Sequence, residues 1–386
     1  MTEQKKPGRI LTALKILGKF ALLLPILLFM MWFNFKVDRS GYFQGDQFER
    51  EVAEALLAGE DLSNYEKMDE RQILRLYVQN LPEDRIPDTI ALGSSRILQM
   101  DHTIAGTESF FNAGMIGADV RDVMNSLYLF IREGKIPKNV IVGIDPWIFS
   151  PCSEALDIRA DDALYQEFLS VALGRTSDYE APDQVALWKV LLDPAYFQGN
   201  LEFYFKDKTD SEHPTVVTGD EVFHQATEVK RSDGSVVYTE EYRNWGHEQI
   251  DALALEQGGT ALRLNDFPDL PADKLELFDA FIQYGRDNGV NFIFVLVPYH
   301  PLAYYIIEQN HEAGGGLYSG FFAVEPWVRE YAAEQDIPLY GSYDAESLGL
   351  IGDDFYDGLH CRGTGIAKFF PGMDAVLAAQ SGAELA

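Results

Sequence analysis

The sequence predicts an α/β fold: a parallel sheet with helices on both faces, three layers in all. Three observations carry this. Short apolar runs recur at Asp88–Leu92, Asn139–Asp145 and Asn291–Val297. Helical spacing separates them, and strands separated by helices pair in parallel. The two stretches rich in chemistry, Ala91–Arg96 and Asp357–His360, follow strands at opposite ends of the core sequence, where a doubly wound sheet assembles its site.

The chain begins with a basic segment and an apolar one. Lys5, Lys6, Arg9, Lys15 and Lys19 stand against Glu3, and no charge interrupts Phe20–Phe33. A spanning helix needs roughly 20 apolar residues. Lys19 can snorkel, and Trp32 suits an interface. Residues 1–36 are therefore expected to form a cytoplasmic tail and a transmembrane anchor. Basic residues before the apolar run place the remainder outside the cell membrane. The alternative is a cleaved signal peptide, but Met31–Lys36 offers no small-x-small site.

The 386 residues carry a formal charge of −30, from 61 Asp+Glu against 31 Lys+Arg. With +4 in residues 1–33, the rest carries −34. Such a body repels nucleic acid and other polyanions. The two cysteines, Cys152 and Cys361, suit either one disulfide in an exported chain or two unpaired buried thiols.

Residues 37–84 read as a helical stalk or collar. Gln47–Gly59 is amphipathic and ends at glycine, and Asp69–Leu81 sets Ile73, Leu74, Leu76 and Tyr77 on one face. Leu81–Pro87, with its prolines and charges, marks the boundary of a domain spanning 85–386. There Ser109–Gly114 reads as a strand and turn, and Asp119–Glu133 as a helix. Asp161–Leu173, Val185–Leu192, Asp273–Asn288, Pro326–Gln335 and Gly363–Ala379 are helical, and Ile337–Gly341 follows as an apolar run. Residues 201–264 break the rhythm and read as a polar insertion on the sheet, a candidate cover for the site; the alternative is disorder, against which Phe223, Tyr238 and Trp245 speak. Its Ser232-Asp-Gly-Ser235 is a hairpin signal.

In Ala91-Leu-Gly-Ser-Ser-Arg96 an apolar strand breaks at Gly93 into helical spacing. A serine at such a turn serves as a helix cap or as a nucleophile beside free backbone N–H groups. Asp357 three residues before His360 lets a carboxylate orient an imidazole, and the imidazole takes a proton from a serine. No Gly-x-Ser-x-Gly elbow or Gly-rich phosphate loop occurs. His247-Glu-Gln-Ile-Asp251 misses the zincin pattern at its last residue, so no metal site and no cofactor is expected.

Together these motifs resemble the SGNH (GDSL-type) hydrolase superfamily. Gly93-Ser94-Ser95 stands where that family has Gly-Asp-Ser. Asn112–Gly117 looks like its second block, Gly143-Ile-Asp145-Pro146 its third, and Asp357-Gly-Leu-His360 its last. The apolar N-terminus adds a likeness to the anchored DltD-like branch and to the SGNH partners of polysaccharide O-acetylation machines. The resemblance implies a flavodoxin-like sheet, with Ser95 as nucleophile, His360 as general base and Asp357 as its orienter. It also implies an oxyanion hole from Ser95 and Gly117, with Asp145 where the family has an asparagine donor. An ionised Asp145 accepts rather than donates, so it is protonated, holds another group, or leaves the hole a donor short. Arg96 and Asn112 are candidate substrate-binding residues; the alternatives are a solvent-facing helix residue and a turn residue.

The implied activity is that of a membrane-anchored extracytoplasmic serine acyl-esterase or O-acyltransferase. Its substrate would be an envelope glycan or glycolipid, its partner a membrane-bound acyl donor protein, and nucleic acid is not expected. The other reading is a non-catalytic carbohydrate-binding or assembly subunit with the same fold.

Overall fold

The computed structural model describes residues 9–38, 43, 47–64, 69–150, 162–175, 188–206, 213–260, 269–314 and 318–381. Its strands, in chain order, are β1 (Asp61–Ser63), β2 (Thr89–Leu92), β3 (Phe110–Asn112), β4 (Asn139–Gly143), β5 (Thr215–Val217), β6 (Val229–Lys230), β7 (Val236–Val237), β8 (Asn291–Leu296) and β9 (Leu339–Gly341). The chain divides into two compact units, Met1–Gln47 with Glu180–Glu212, and Phe48–Tyr179 with His213–Ala386.

The larger unit holds a five-stranded, all-parallel sheet in the order β3-β2-β4-β8-β9. The sequence places Ile90, Val140, Val142, Phe292 and Phe294 on one face and Ala91, Ile141, Ile293 and Val295 on the other, because side chains alternate along a strand. Both faces are fully buried, which explains why β4 and β8 are continuous apolar runs rather than alternating ones. Helices Glu70–Asn80, Val120–Arg132, Ala272–Asp287 and Ser319–Glu334 cover the first face. Gly363–Phe369 and Met373–Ser381 cover the second. Each fully buried aliphatic or aromatic side chain contributes about 1.5–3 kcal/mol. The order reverses direction beside β2, the first strand of this sheet, and the crevice at the strand ends there is the preferred position for a site.

The collar is part of this core. Val52, Ala53 and Leu56 from helix Gln47–Ala58, and Ile73, Leu74, Leu76, Tyr77 and Val78 from Glu70–Asn80, are buried in the same cluster as the first face. Tyr77 stacks on Phe111 at 4.1 Å. A second, antiparallel sheet, β5-β1-β6-β7, joins collar strand β1 to the insertion. The Ser232–Ser235 stretch turns the β6–β7 hairpin as its sequence predicts. Its loop docks on the edge of the large sheet, with the Asn112 N–H donating to the Asp233 carbonyl at 2.7 Å. Gly234 sits at φ +80°, and a Cβ there would lie 2.2 Å from the Asn112 carbonyl oxygen, so only glycine fits.

The smaller unit contains the first helix, Arg9–Val37, and a helix at Pro194–Lys206. Phe33 packs edge-on against Phe197 and Tyr204, and Asn34 bonds Asn200 and the Leu191 carbonyl. Residues 201–206 therefore belong here, and only the later part of the expected insertion joins the sheet domain. A transmembrane span is expected within residues 1–36; among the described residues no helix is long and apolar enough to cross a membrane.

Helix Pro301–Ala313 was not signalled by the sequence reading. The helix expected at Pro326–Gln335 starts earlier, at Ser319, with Pro326 inside it. The helix expected at 161–173 runs as Asp162–Glu167 and then widens into a π-turn over Phe168–Ala172. The start of Val185–Leu192 lies outside the described residues.

Candidate active site

Strand β2 ends at Leu92, and Gly93 turns the chain with φ +147°. A Cβ on Gly93 would sit 3.0 Å from the Gly143 carbonyl oxygen of the neighbouring strand, so the turn needs a residue without one. A short 3₁₀ turn, Ser95–Ile97, follows directly. Ser94 caps it: its hydroxyl accepts from the Arg96 N–H at 3.2 Å and is almost fully buried. Ser95 is left partly exposed at the first turn, and its N–H has no partner among the described residues. Ser94 is therefore the cap, and Ser95 is the serine whose side chain is left facing outward.

The late loop arrives at the same place. Ser95 Oγ lies 2.9 Å from His360 Nε2, and His360 Nδ1 lies 2.8 Å from Asp357 Oδ2. A proton on Nδ1, facing the carboxylate, leaves Nε2 as the acceptor for the serine hydroxyl. Asp357 Oδ1 accepts the N–H groups of Leu359 and His360, both at 2.7 Å. Burial works against ionisation of Asp357. The His360 charge and the hydrogen bonds of His360, Tyr242 and Leu359 outweigh it and hold the carboxyl well below the usual range.

Two residues of this site were missed by the sequence reading, and both come from the insertion. Tyr242, on helix Glu240–Arg243, donates its hydroxyl to Asp357 Oδ2 at 2.6 Å. Gln257, on helix His247–Thr260, donates to the same oxygen at 3.2 Å and accepts the Gly358 N–H at 2.7 Å. The insertion therefore builds the carboxylate end of the triad as well as lying near it. No local pattern marks either residue, since each depends on a partner 100 or more positions away. Around them Tyr238, Tyr242 and Tyr356 form an aromatic wall, with Tyr238 edge-on to the His360 ring at 5.8 Å.

Three candidates are corrected. Arg96 does not face a substrate: only 1% of its surface is exposed, and each of its three guanidinium nitrogens donates a hydrogen bond within the protein. Its Nε donates to the Leu359 carbonyl, Nη1 to Asp145 at 3.1 Å and Nη2 to the Val297 carbonyl, while the guanidinium stacks 3.9 Å from the Tyr299 ring. It joins the ends of β4 and β8 to the histidine loop from inside. Asn112 is likewise spent, donating to the Ile97 and Met100 carbonyls and accepting from the Gly114 N–H. Asp145 is not an oxyanion donor: its buried carboxylate accepts from Arg96 and from the hydroxyl and N–H of Ser94. Burial pushes its pKa up against those partners. Of the three ways Asp145 was left open, it holds another group.

Gly117 follows β3 in a turn with φ +66° and is partly exposed. The preceding Ile116 N–H is held by Glu70 Oε2 at 2.6 Å. Cys361 is a free, fully buried thiol, and Cys152 lies outside the described residues. His247, from the near-miss zincin stretch, pairs with Asp353 at 2.7 Å.

Comparison with protein-family models and with curated proteins finds no match to this chain.

Proposed function

We propose that this protein is a serine acyl-enzyme that removes or transfers a small acyl group on an envelope glycan or glycolipid. The observation that carries the reading is the continuous relay from Ser95 Oγ through His360 to Asp357, with steps of 2.9 and 2.8 Å. Such spacing lies within hydrogen-bond reach for general-base activation of a hydroxyl. The strand order is that of flavodoxin-like sheets, with the relay at the switch point. This agrees with the SGNH resemblance in the sequence.

In the proposed reaction His360 Nε2 takes the Ser95 proton as Oγ bonds to the ester carbonyl carbon. The carbonyl oxygen becomes an oxyanion facing the free Ser95 N–H, with Gly117 as the second candidate donor. The imidazolium then protonates the departing alcohol oxygen, the C–O bond breaks, and an acyl-serine remains. Water or an acceptor hydroxyl then loses its proton to His360 Nε2 and attacks the acyl carbon; the C–Oγ bond breaks, the imidazolium returns the proton to Ser95 Oγ, and the free acid or the new ester leaves. Attachment at a membrane is part of the proposal. Leu24, Ile26, Leu28 and Trp32 are more than half exposed on the first helix, and the basic residues before them favour an extracytoplasmic domain. A membrane-bound acyl donor protein is the partner this arrangement would serve.

A fluorophosphonate probe tests the reading. Wild type should label covalently, and Ser95→Ala and His360→Gln should not. Release of acyl groups from an acetylated glycan, compared with a simple aryl ester, then separates glycan specificity from general esterase activity. The second reading, a carbohydrate-binding or assembly subunit without turnover, draws on Asp145, which supplies no amide donor at the third block. It gains if wild type never labels.

A further inference from the structure

Tyr242 is the contact through which the insertion reaches the triad. Asp357 Oδ2 takes three donors: His360 Nδ1 at 2.8 Å, Tyr242 Oη at 2.6 Å and Gln257 Nε2 at 3.2 Å. The Tyr242 bond is the shortest, and it competes with the imidazole for the same oxygen. A carboxylate that already accepts a short phenol bond is a weaker counter-charge for an imidazolium.

We infer that Tyr242 is a positioning residue through which the insertion sets the basicity of His360. Its hydroxyl fixes Oδ2 toward Nδ1 and lowers the proton affinity of the ring. The inference rests on the proposed role of His360 as general base, but its physical content is a property of the ring and is measurable without turnover.

The surroundings are consistent with one dominant contact. The ring and carboxylate are faced by Ser95 from the serine turn, Tyr238 and Tyr242 from the insertion, and Tyr356 from their own loop. The charges beyond are Glu228, Arg243, Arg362 and Arg96, together with the buried His300. Of the titratable side chains among these, Tyr242 alone donates a hydrogen bond to the carboxylate besides His360 itself. Tyr238 supplies the internal control: its ring touches His360, but its hydroxyl is buried with no partner.

The experiment is an NMR titration of ring-labelled histidine in the full-length protein, with His360 assigned from the spectrum of His360→Gln. Tyr242→Phe should raise the His360 pKa by roughly half to one unit. Tyr238→Phe should leave it unchanged. Incorporation of 3-fluorotyrosine at 242, a stronger donor that preserves the ring contacts, should lower it, and this arm stands even if Tyr242→Phe fails to fold. No shift with either change at 242, or equal shifts in the 238 and 242 variants, overturns the inference. A wild type inert to fluorophosphonate would sink the enzyme reading alone, because the titration is read independently of labelling.

Discussion

Arg96 and Asp145 form a buried ion pair, Nη1 to Oδ1 at 3.1 Å, with about 1% and 4% of their side chains exposed. The pair ties the serine turn to the end of β4, and the same guanidinium holds the carbonyl next to His360. Breaking one partner of a buried pair strands the other charge and costs about 3–5 kcal/mol. Arg96→Met should therefore lower the free energy of urea unfolding by that amount. It should also slow labelling at Ser95, since the histidine loop loses an anchor. Arg96→Lys keeps the charge but cannot fork to Asp145 and the Leu359 and Val297 carbonyls together, so it should fall between the two.

Ser94 and Ser95 should separate cleanly. Ser94→Ala removes a cap and a donor to Asp145, for a stability loss of about 0.5–2 kcal/mol with labelling retained. Ser95→Ala should leave the unfolding midpoint nearly unchanged and abolish labelling. The reversed pattern would assign the nucleophile to the wrong serine.

This division marks where sequence reasoning stops. Ser95, Asp357 and His360 were legible because their chemistry is local: a glycine-broken strand end, and an Asp and His three residues apart. The parallel sheet was legible because β4 and β8 are apolar without interruption. Asn112 takes the turn role that was its alternative, accepting the Gly114 N–H, whereas neither reading of Arg96 held, because a polar side chain beside Ser95 reads alike whether it faces solvent or the interior. Only long-range partners decide that, such as Leu359 for Arg96. Tyr242 and Gln257 were invisible for the same reason, lying in a polar interval read as a cover.

Acid should remove a defined part of the stability. The folded Asp357 carboxyl is held below its ordinary value. Its contribution is therefore fully present above about pH 4, where the unfolded carboxyl is also ionised, and is lost as pH falls toward the folded value. Asp357→Asn should cost on the order of 2 kcal/mol at pH 7. The gap from wild type should narrow progressively in denaturation curves as pH falls below about 4 toward the folded value. A gap that stays constant with pH would mean that packing, not charge, supplies the effect.

The hairpin offers a test of how the insertion is seated. Gly234→Ala introduces a Cβ 2.2 Å from the Asn112 carbonyl oxygen at a left-handed backbone position. The loss should exceed about 1 kcal/mol. Protease cleavage within 213–260 should rise, and labelling at Ser95 should fall with it, because Tyr242 and Gln257 ride on the same segment.

The last prediction concerns the loop before Gly117. Glu70 receives the Ile116 N–H on Oε2, while its Oε1 lies 3.5 Å from Lys230 Nζ; both side chains are more than 90% buried. Glu70→Gln retains an acceptor for Ile116 but leaves the lysine charge without a counter-ion, at a cost of about 3–5 kcal/mol. Adding Lys230→Met removes that charge and should recover most of the loss, a coupling visible in a double-mutant cycle by urea denaturation. Glu70→Ala/Lys230→Met also removes the acceptor. If Gly117 is the second oxyanion donor, this variant should label more slowly than Glu70→Gln/Lys230→Met at matched stability. Equal labelling rates would take Glu70, and the loop it holds, out of the proposed reaction.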